Sequence, residues 1–210
     1  MAIGIDDAGF VQARRFGDFA ALIRAFEDAR VIGVDMPIGL VDAPVRAADQ
    51  AARAYLAGAA SSVFNAPVRA ALHADSYEDA SAISRRIAGK GLSKQSFHLM
   101  AKIREVDAHA TDARIFEVHP EVSFRLMGDG ASVPRKKSWA GMRRRLARLA
   151  REGIVLPDAL GEADDVGIDD VIDAAAAAWS ARRIANGNAR SFPAPPVHDD
   201  ATGRTIAIWG

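Results

Sequence analysis

Two hydrophobic spacings alternate along this chain, and that alternation narrows its fold more than any other feature. Ala2–Ile5 is a short apolar run, Asp6-Asp7-Ala8-Gly9 reads as a turn, and Phe10–Arg15 resumes extended character, which predicts a β-hairpin. Asp18 stands where it can cap a helix whose apolar residues Phe19, Leu22, Ile23 and Phe26 recur at helical spacing. Val31–Val34 is again β-rich, ends at Asp35, and is broken by Met36-Pro37-Ile38-Gly39. Three helices are predicted in the middle. One covers Val45–Leu56 behind Pro44, one runs from the Ser76/Asp79 capping box through Ile87, and one starts at Ser93 with Leu99, Ile103 and Val106 on a single stripe. Arg114–His119 returns to strand character until Pro120, and a last strand is predicted at Arg204–Trp209. Strands alternating with helices behind an antiparallel hairpin imply a mixed α/β sheet, here of only three to five strands.

The chain has 210 residues and no cysteine, so one domain with a real core is expected and disulfides, thiolate metal sites and a cysteine nucleophile are excluded. The longest uncharged run, between Arg53 and Arg69, is shorter than the ~20 residues of a spanning helix. The opening MAIGIDD has neither a basic start nor a long apolar stretch, so no signal peptide and a cytoplasmic location are expected. No P-loop, dinucleotide fingerprint, nucleophile elbow or HExxH motif occurs. Gly89-Lys90-Gly91-Leu92-Ser93 opens a helix but lacks the first glycine of a phosphate loop, which leaves a small-molecule phosphotransferase as the weakest function class.

The formal charge is zero, from 27 basic and 27 acidic residues, but the charges are segregated. Between Arg135 and Arg151 there are eight basic residues and no acid. Trp139, Met142, Leu146 and Leu149 form an apolar seam there, which predicts an amphipathic helix with a cationic face that includes Lys136, Lys137, Arg143 and Arg144. Such a face either is simply solvated or holds phosphate backbones. From Asp158 to Asp173 there are seven acids and no base.

Three groups of acids are candidates for chemistry. Asp35 comes after a strand that is apolar at four consecutive positions, and the carboxyl ends of such strands are where open α/β sheets bind ligands. An Asx turn into Pro37 is the plainer account. In Glu117-Val118-His119-Pro120-Glu121, strand alternation puts Glu117 and His119 on one side, either toward a site or on the wet face of an edge strand. In Asp169-Asp170-Val171-Ile172-Asp173, a capping Asp169 leaves Asp170 and Asp173 at i and i+3 on a shared face. Capping accounts for the first two acids but not for Asp173. Carboxylates from two strand ends and a helix start converge only if something neutralises them. Mg²⁺ or Mn²⁺ does this with few protein ligands, and carboxylate-held metals activate water in phosphodiester hydrolysis.

The same segments resemble a known family, the domain-of-unknown-function family 429, whose members are described as predicted nucleases with a ribonuclease-H-like fold. The resemblance runs through VIGVDMPIGL (31–40), RAADQAARAYLAGAASSVFNAPVRAAL (46–72), GKGLSKQSFHLMAKIREVD (89–107), EVHPEVSFRLM (117–127), KKSWAGMRRRL (136–146), DDVIDAAAAAWSARR (169–183) and TIAIWG (205–210). It implies a ribonuclease-H-like mixed sheet flanked by helices, with a helical insertion at about 42–110. It also implies acidic metal ligands at Asp35, at Glu117 or Glu121, and at Asp170 and Asp173, with Ser61, Ser62, Lys94, Gln95, Lys102, Glu105, His119 and Lys136 lining the site. The implied activity is a nuclease dependent on Mg²⁺ or Mn²⁺ with nucleic acid as its partner. The alternative is a catalytically inactive nucleic-acid or partner-binding module. Family members usually open with a strand ending in G-[IV]-D-G before the hairpin. Either Ala2–Asp6 is that strand in shortened form and Asp6 is the first metal ligand, or Ala2–Ile5 is the second strand, the usual first strand is lacking and Asp6 is a turn residue. The second option is favoured here.

Overall fold

The computed structural model describes residues 1–199 and 203–210. The elements in chain order are β1 (Ala2–Asp6), β2 (Gly9–Arg14), α1 (Phe19–Ala25), β3 (Ile32–Val34), α2 (Ala47–Leu56), α3 (Tyr77–Ala88), α4 (Lys94–Asp107), β4 (Ile115–Glu117), α5 (Pro120–Met127), α6 (Trp139–Arg151), α7 (Ile168–Ala185), β5 (Ser191–Asp199) and β6 (Arg204–Trp209). This is the mixed α/β class that the sequence predicts, but the strands pair two by two, β1 with β2, β3 with β4, and β5 with β6. No helix among the described residues is long and apolar enough to cross a membrane.

Side-chain caps set several helix starts. Asp18 Oδ1 accepts from the Ala21 N–H at 2.7 Å. Ser76 Oγ accepts from the Asp79 N–H at 3.0 Å, and Ser93 Oγ from the Ser96 N–H at 3.0 Å. Each such cap contributes about 1 kcal/mol. α3 ends on Gly89, whose φ of 72° is the left-handed conformation that suits glycine.

Two elements depart from the sequence reading. Pro120, expected to stop a strand, opens α5, because a first-turn residue needs no N–H and the ring presets φ. β5 is not anticipated by the sequence, because Pro193, Pro195 and Pro196 argue against a strand. Its only ladder partner among the described residues is β6, so an edge remains where missing N–H groups are tolerated.

The chain divides into two compact units, Met1–Asp35 with Arg114–Arg190 and Trp209–Gly210, and Met36–Ala113 with Ser191–Ile208. In the first unit β1 and β2 pair antiparallel, β3 and β4 pair parallel, and Val118 bridges Trp209 in parallel. α7 is its centre. Val171, Ile172, Ala175, Ala176 and Trp179 bury against Phe124 of α5, Leu149 of α6 and Ile3 of β1. The alanines allow close approach of the backbone. A Cβ on Gly33 of β3 would lie 2.8 Å from the Ala177 carbonyl oxygen, so only glycine fits without a shift. Ser123 and Ser180 hydrogen-bond at 2.7 Å between α5 and α7.

In the second unit, Val68, Ala71, Ala80, Leu92 and Met100 make one core, and Leu40, Leu72 and Ile103 another. Arg46, just before α2, is buried and bonds Asp49 at 2.5 Å and the Ile38 carbonyl at 2.9 Å. Asp107 at the end of α4 receives Arg69 and Arg204, each at 2.6 Å. Those two guanidiniums outweigh the effect of burial and hold its carboxyl below the usual range.

Candidate functional site

The candidate site belongs to the first unit and is assembled from three stretches of chain. Asp35 comes directly after β3, His119 and Glu121 flank the start of α5, and Asp169 and Asp173 lie one turn apart at the start of α7. Lys136, in the loop before α6, joins them. Its ammonium donates to Asp173 Oδ2 at 2.8 Å and lies 3.8 Å from Asp169 Oδ2. Burial would lower its pKa, but the bond to Asp173 and the charges of Asp173, Asp169 and Asp35 together raise it, so Lys136 stays protonated.

Asp35 is exposed by surface area, yet the protein around it pushes its pKa up to about 6. The two facts together describe a carboxylate open to water on one side and shielded on the others. Shielding is the largest cause of the rise, and Asp173 and Glu121 add repulsion, while His119 and Lys136 oppose it. Asp173 is also raised, because burial and the Glu121 charge outweigh its bond to Lys136 and the charge of Arg145. The pair Lys136–Asp173 is therefore an ion pair whose acid is still held up by burial and by the Glu121 charge.

Glu121 is held by α6. Arg145 Nη2 reaches both of its carboxylate oxygens, at 2.6 and 2.8 Å. The same guanidinium donates to the carbonyls of Pro134 at 2.8 Å and Gly141 at 3.2 Å, and its side chain is only 2 % exposed. Arg148 likewise turns inward, donating to the Phe124 carbonyl at 2.5 Å. The expected cationic helix is thus split. Arg145 and Arg148 serve the interior, whereas Lys137, Arg143, Arg144 and Arg151 remain exposed. Trp139, expected in the apolar seam, is 72 % exposed.

The other predicted residues are placed elsewhere or differently. Glu117 is buried within β4. Asp170 is exposed, and Asp169 rather than Asp170 shares Lys136 with Asp173, as an i, i+4 pair. α7 is capped at Gly167, which frees Asp169 from the capping role given to it by the sequence. Asp6 Oδ1 accepts from the N–H groups of Ala8 and Gly9 at 2.8 and 3.0 Å, so its carboxylate closes the β1–β2 turn. Lys94, Gln95 and Lys102 are exposed on α4 of the second unit. Sequence reasoning misses Arg145 and Asp169. A signal for Arg145 exists, since Gly141, Arg145, Arg148 and Leu149 share one helical stripe.

Among the described residues no three His, Asp or Glu side chains are gathered as a ready cation site. The hard oxygen donors of Asp35 and Asp173 nevertheless suit Mg²⁺ or Mn²⁺, which take one or two carboxylates and complete their shell with water and phosphate.

The model of the family described as "Protein of unknown function (DUF429)" matches residues 1–198, and the chain belongs to that family. No curated protein and no solved structure matches it.

Proposed function

Taking membership of DUF429 as the premise, we propose that this chain is a metal-dependent phosphodiesterase acting on nucleic acid, built on a ribonuclease-H-like scaffold. The observation that carries the reading is a set of acids that feel one another's charge, Asp35, Glu121 and Asp173, with His119 acting on Asp35 and Lys136 bonded to Asp173, before a helix with exposed arginines. The parallel β3–β4 pair, preceded by a hairpin and packed against α7, supports the scaffold. In this reading Asp35 and Asp173 would hold a divalent cation, which when bound would supply an activated water and charge for the leaving oxygen. Lys136 neutralises Asp173 in the absence of that charge. Arg145 fixes Glu121, and the charge of His119 acts on Asp35. Arg143 and Arg144 hold phosphates.

Labelled DNA, RNA and RNA–DNA hybrid incubated with Mg²⁺ or Mn²⁺ test this. Cleavage is expected to require the metal and to fall at least about 100-fold in Asp35→Asn and Asp173→Asn. Cleavage indifferent to chelator, or to Asp35→Asn, overturns it.

A second reading has an observation of its own. Lys136 already pairs with Asp173, one of the two carboxylates a cation would need, and this favours a scaffold that binds nucleic acid without turnover. That reading predicts salt-dependent binding with no metal-dependent products.

A further inference from the structure

We propose that the exposed end of α6 is a single-strand nucleic-acid interface in which the Trp139 ring stacks on an unpaired base. The inference rests on the phosphodiester reading for its substrate class and adds the form of the strand. Trp139 opens α6 and is 72 % exposed, although the spacing of its neighbours would place it inward. Leu149, from the same predicted seam, is fully buried, so the helix has a real interior side and Trp139 stands off it. One turn along, the Arg143 guanidinium lies 5.7 Å from the Trp139 ring centroid. Cation–π contact of this kind fixes the ring while leaving most of it open. Arg135, Lys137 and Arg144 lie within five residues of it in sequence and, like Arg143, are exposed, and no acid interrupts the sequence from Arg135 to Arg151.

Each part of this surface selects for the same occupant. A flat aromatic ring on a charged surface has no folding role that its exposure explains. A base offers it a matching π-face, whereas a lipid or an acidic peptide does not. A cation against the ring, with further cations near it in sequence, matches the phosphates that flank a base, the arrangement of sequence-tolerant single-strand binding. A duplex keeps its bases stacked on one another, so it can use the arginines but not the tryptophan. Lys136 lies three residues before Trp139, which sets the interface next to the acids of the candidate site along the chain.

The test uses the full chain without divalent metal, so that binding is read apart from cleavage. Fluorescence anisotropy tracks a labelled oligothymidylate of about a dozen nucleotides, an abasic strand of equal length, and a duplex. Trp139→Ala is expected to weaken oligothymidylate binding roughly ten-fold and to leave the abasic strand and duplex nearly unchanged, while Trp139→Phe retains most of the affinity. The double variant Arg143→Gln, Arg144→Gln is expected to weaken all three and to reduce the salt slope by about one to two. Equal binding of oligothymidylate by wild type and Trp139→Ala overturns the proposal, as does competition by polyglutamate as strong as by oligothymidylate. Unchanged thermal melts show that each variant is folded. If Trp139-dependent binding persists while no metal-dependent cleavage is found, the hydrolytic reading fails and the interface stands. If cleavage is found and Trp139→Ala binds and cleaves as wild type, the interface fails and the hydrolytic reading stands.

Discussion

Replacing Arg145 with methionine isolates the interaction that holds Glu121 in the site. Methionine keeps most of the volume, so little of the effect is a cavity. What is lost is a guanidinium that makes two short bonds to Glu121, at 2.6 and 2.8 Å, and donates to the Pro134 and Gly141 carbonyls at 2.8 and 3.2 Å. Removing one member of a buried ion pair costs about 3–5 kcal/mol, because the remaining charge is left unpaired. Glu121 is 16 % exposed, so water relieves it in part and the lower end, about 3 kcal/mol, is expected. For a chain of 210 residues that is a fall in Tm of about 6–12 °C. Glu121→Gln keeps an acceptor for the arginine and is expected to cost only about 1–2 kcal/mol. The double variant Arg145→Met, Glu121→Leu leaves neither charge stranded and is expected to be at least about 1.5 kcal/mol more stable than the two single losses added together. Urea unfolding and thermal melts monitored by circular dichroism measure these variants together with the single Glu121→Leu that closes the cycle. A loss below about 1 kcal/mol in Arg145→Met, or strict additivity in the double variant, refutes the pairing argument.

The same unit carries two more tests. Asp35 has a folded pKa of about 6, above its unfolded value, so the folded state binds this proton more tightly. Its contribution to stability is full below about pH 4 and lost as pH rises through about 6, and the raised Asp173 acts in the same direction. Wild type is therefore expected to lose stability relative to Asp35→Asn between about pH 4 and 7, and parallel melting profiles would contradict this. Gly33→Ala places a Cβ 2.8 Å from the Ala177 carbonyl oxygen and 3.3 Å from Val118, and is expected to cost about 1–3 kcal/mol. Gly17→Ala, with nothing within 4 Å, is the control and is expected to leave Tm nearly unchanged.

Local signals are the legible part of this fold. The hairpin, the caps at Asp18, Ser76 and Ser93, and β6 all depend on residues close in sequence, and each forms where its own side chains direct it. Pro120 is ambiguous because proline both ends a strand and suits a first helical turn, and the choice depends on the residues C-terminal to it. β5 is hidden because its prolines are tolerable only on an edge, a fact that exists in the assembled sheet and not in the segment. At the site, Asp35 and Asp173 are legible as acids in positions that capping or burial alone does not explain. Their partners are not. The composition of a basic run does not tell which arginine has an acid and two carbonyls waiting inside, and only the helical spacing that Arg145 shares with Gly141, Arg148 and Leu149 marks it. Likewise the sharing of Lys136 by Asp169 and Asp173 depends on where α7 is capped, a shift of two residues from the expected start.

The inward arginines also determine how α6 can sit. A helix docked only by aliphatic side chains can rotate by a fraction of a turn and repack, since dispersion contacts have little angular preference. Arg145 and Arg148 instead meet fixed acceptors, the Glu121 carboxylate and the Phe124 and Pro134 carbonyls. Turning the helix by one residue, about 100°, would break every one of these bonds at once. α6 is thus keyed in azimuth like a splined shaft. The directions in which Trp139, Arg143 and Arg144 leave the surface are dictated from beneath, by two side chains that never reach it.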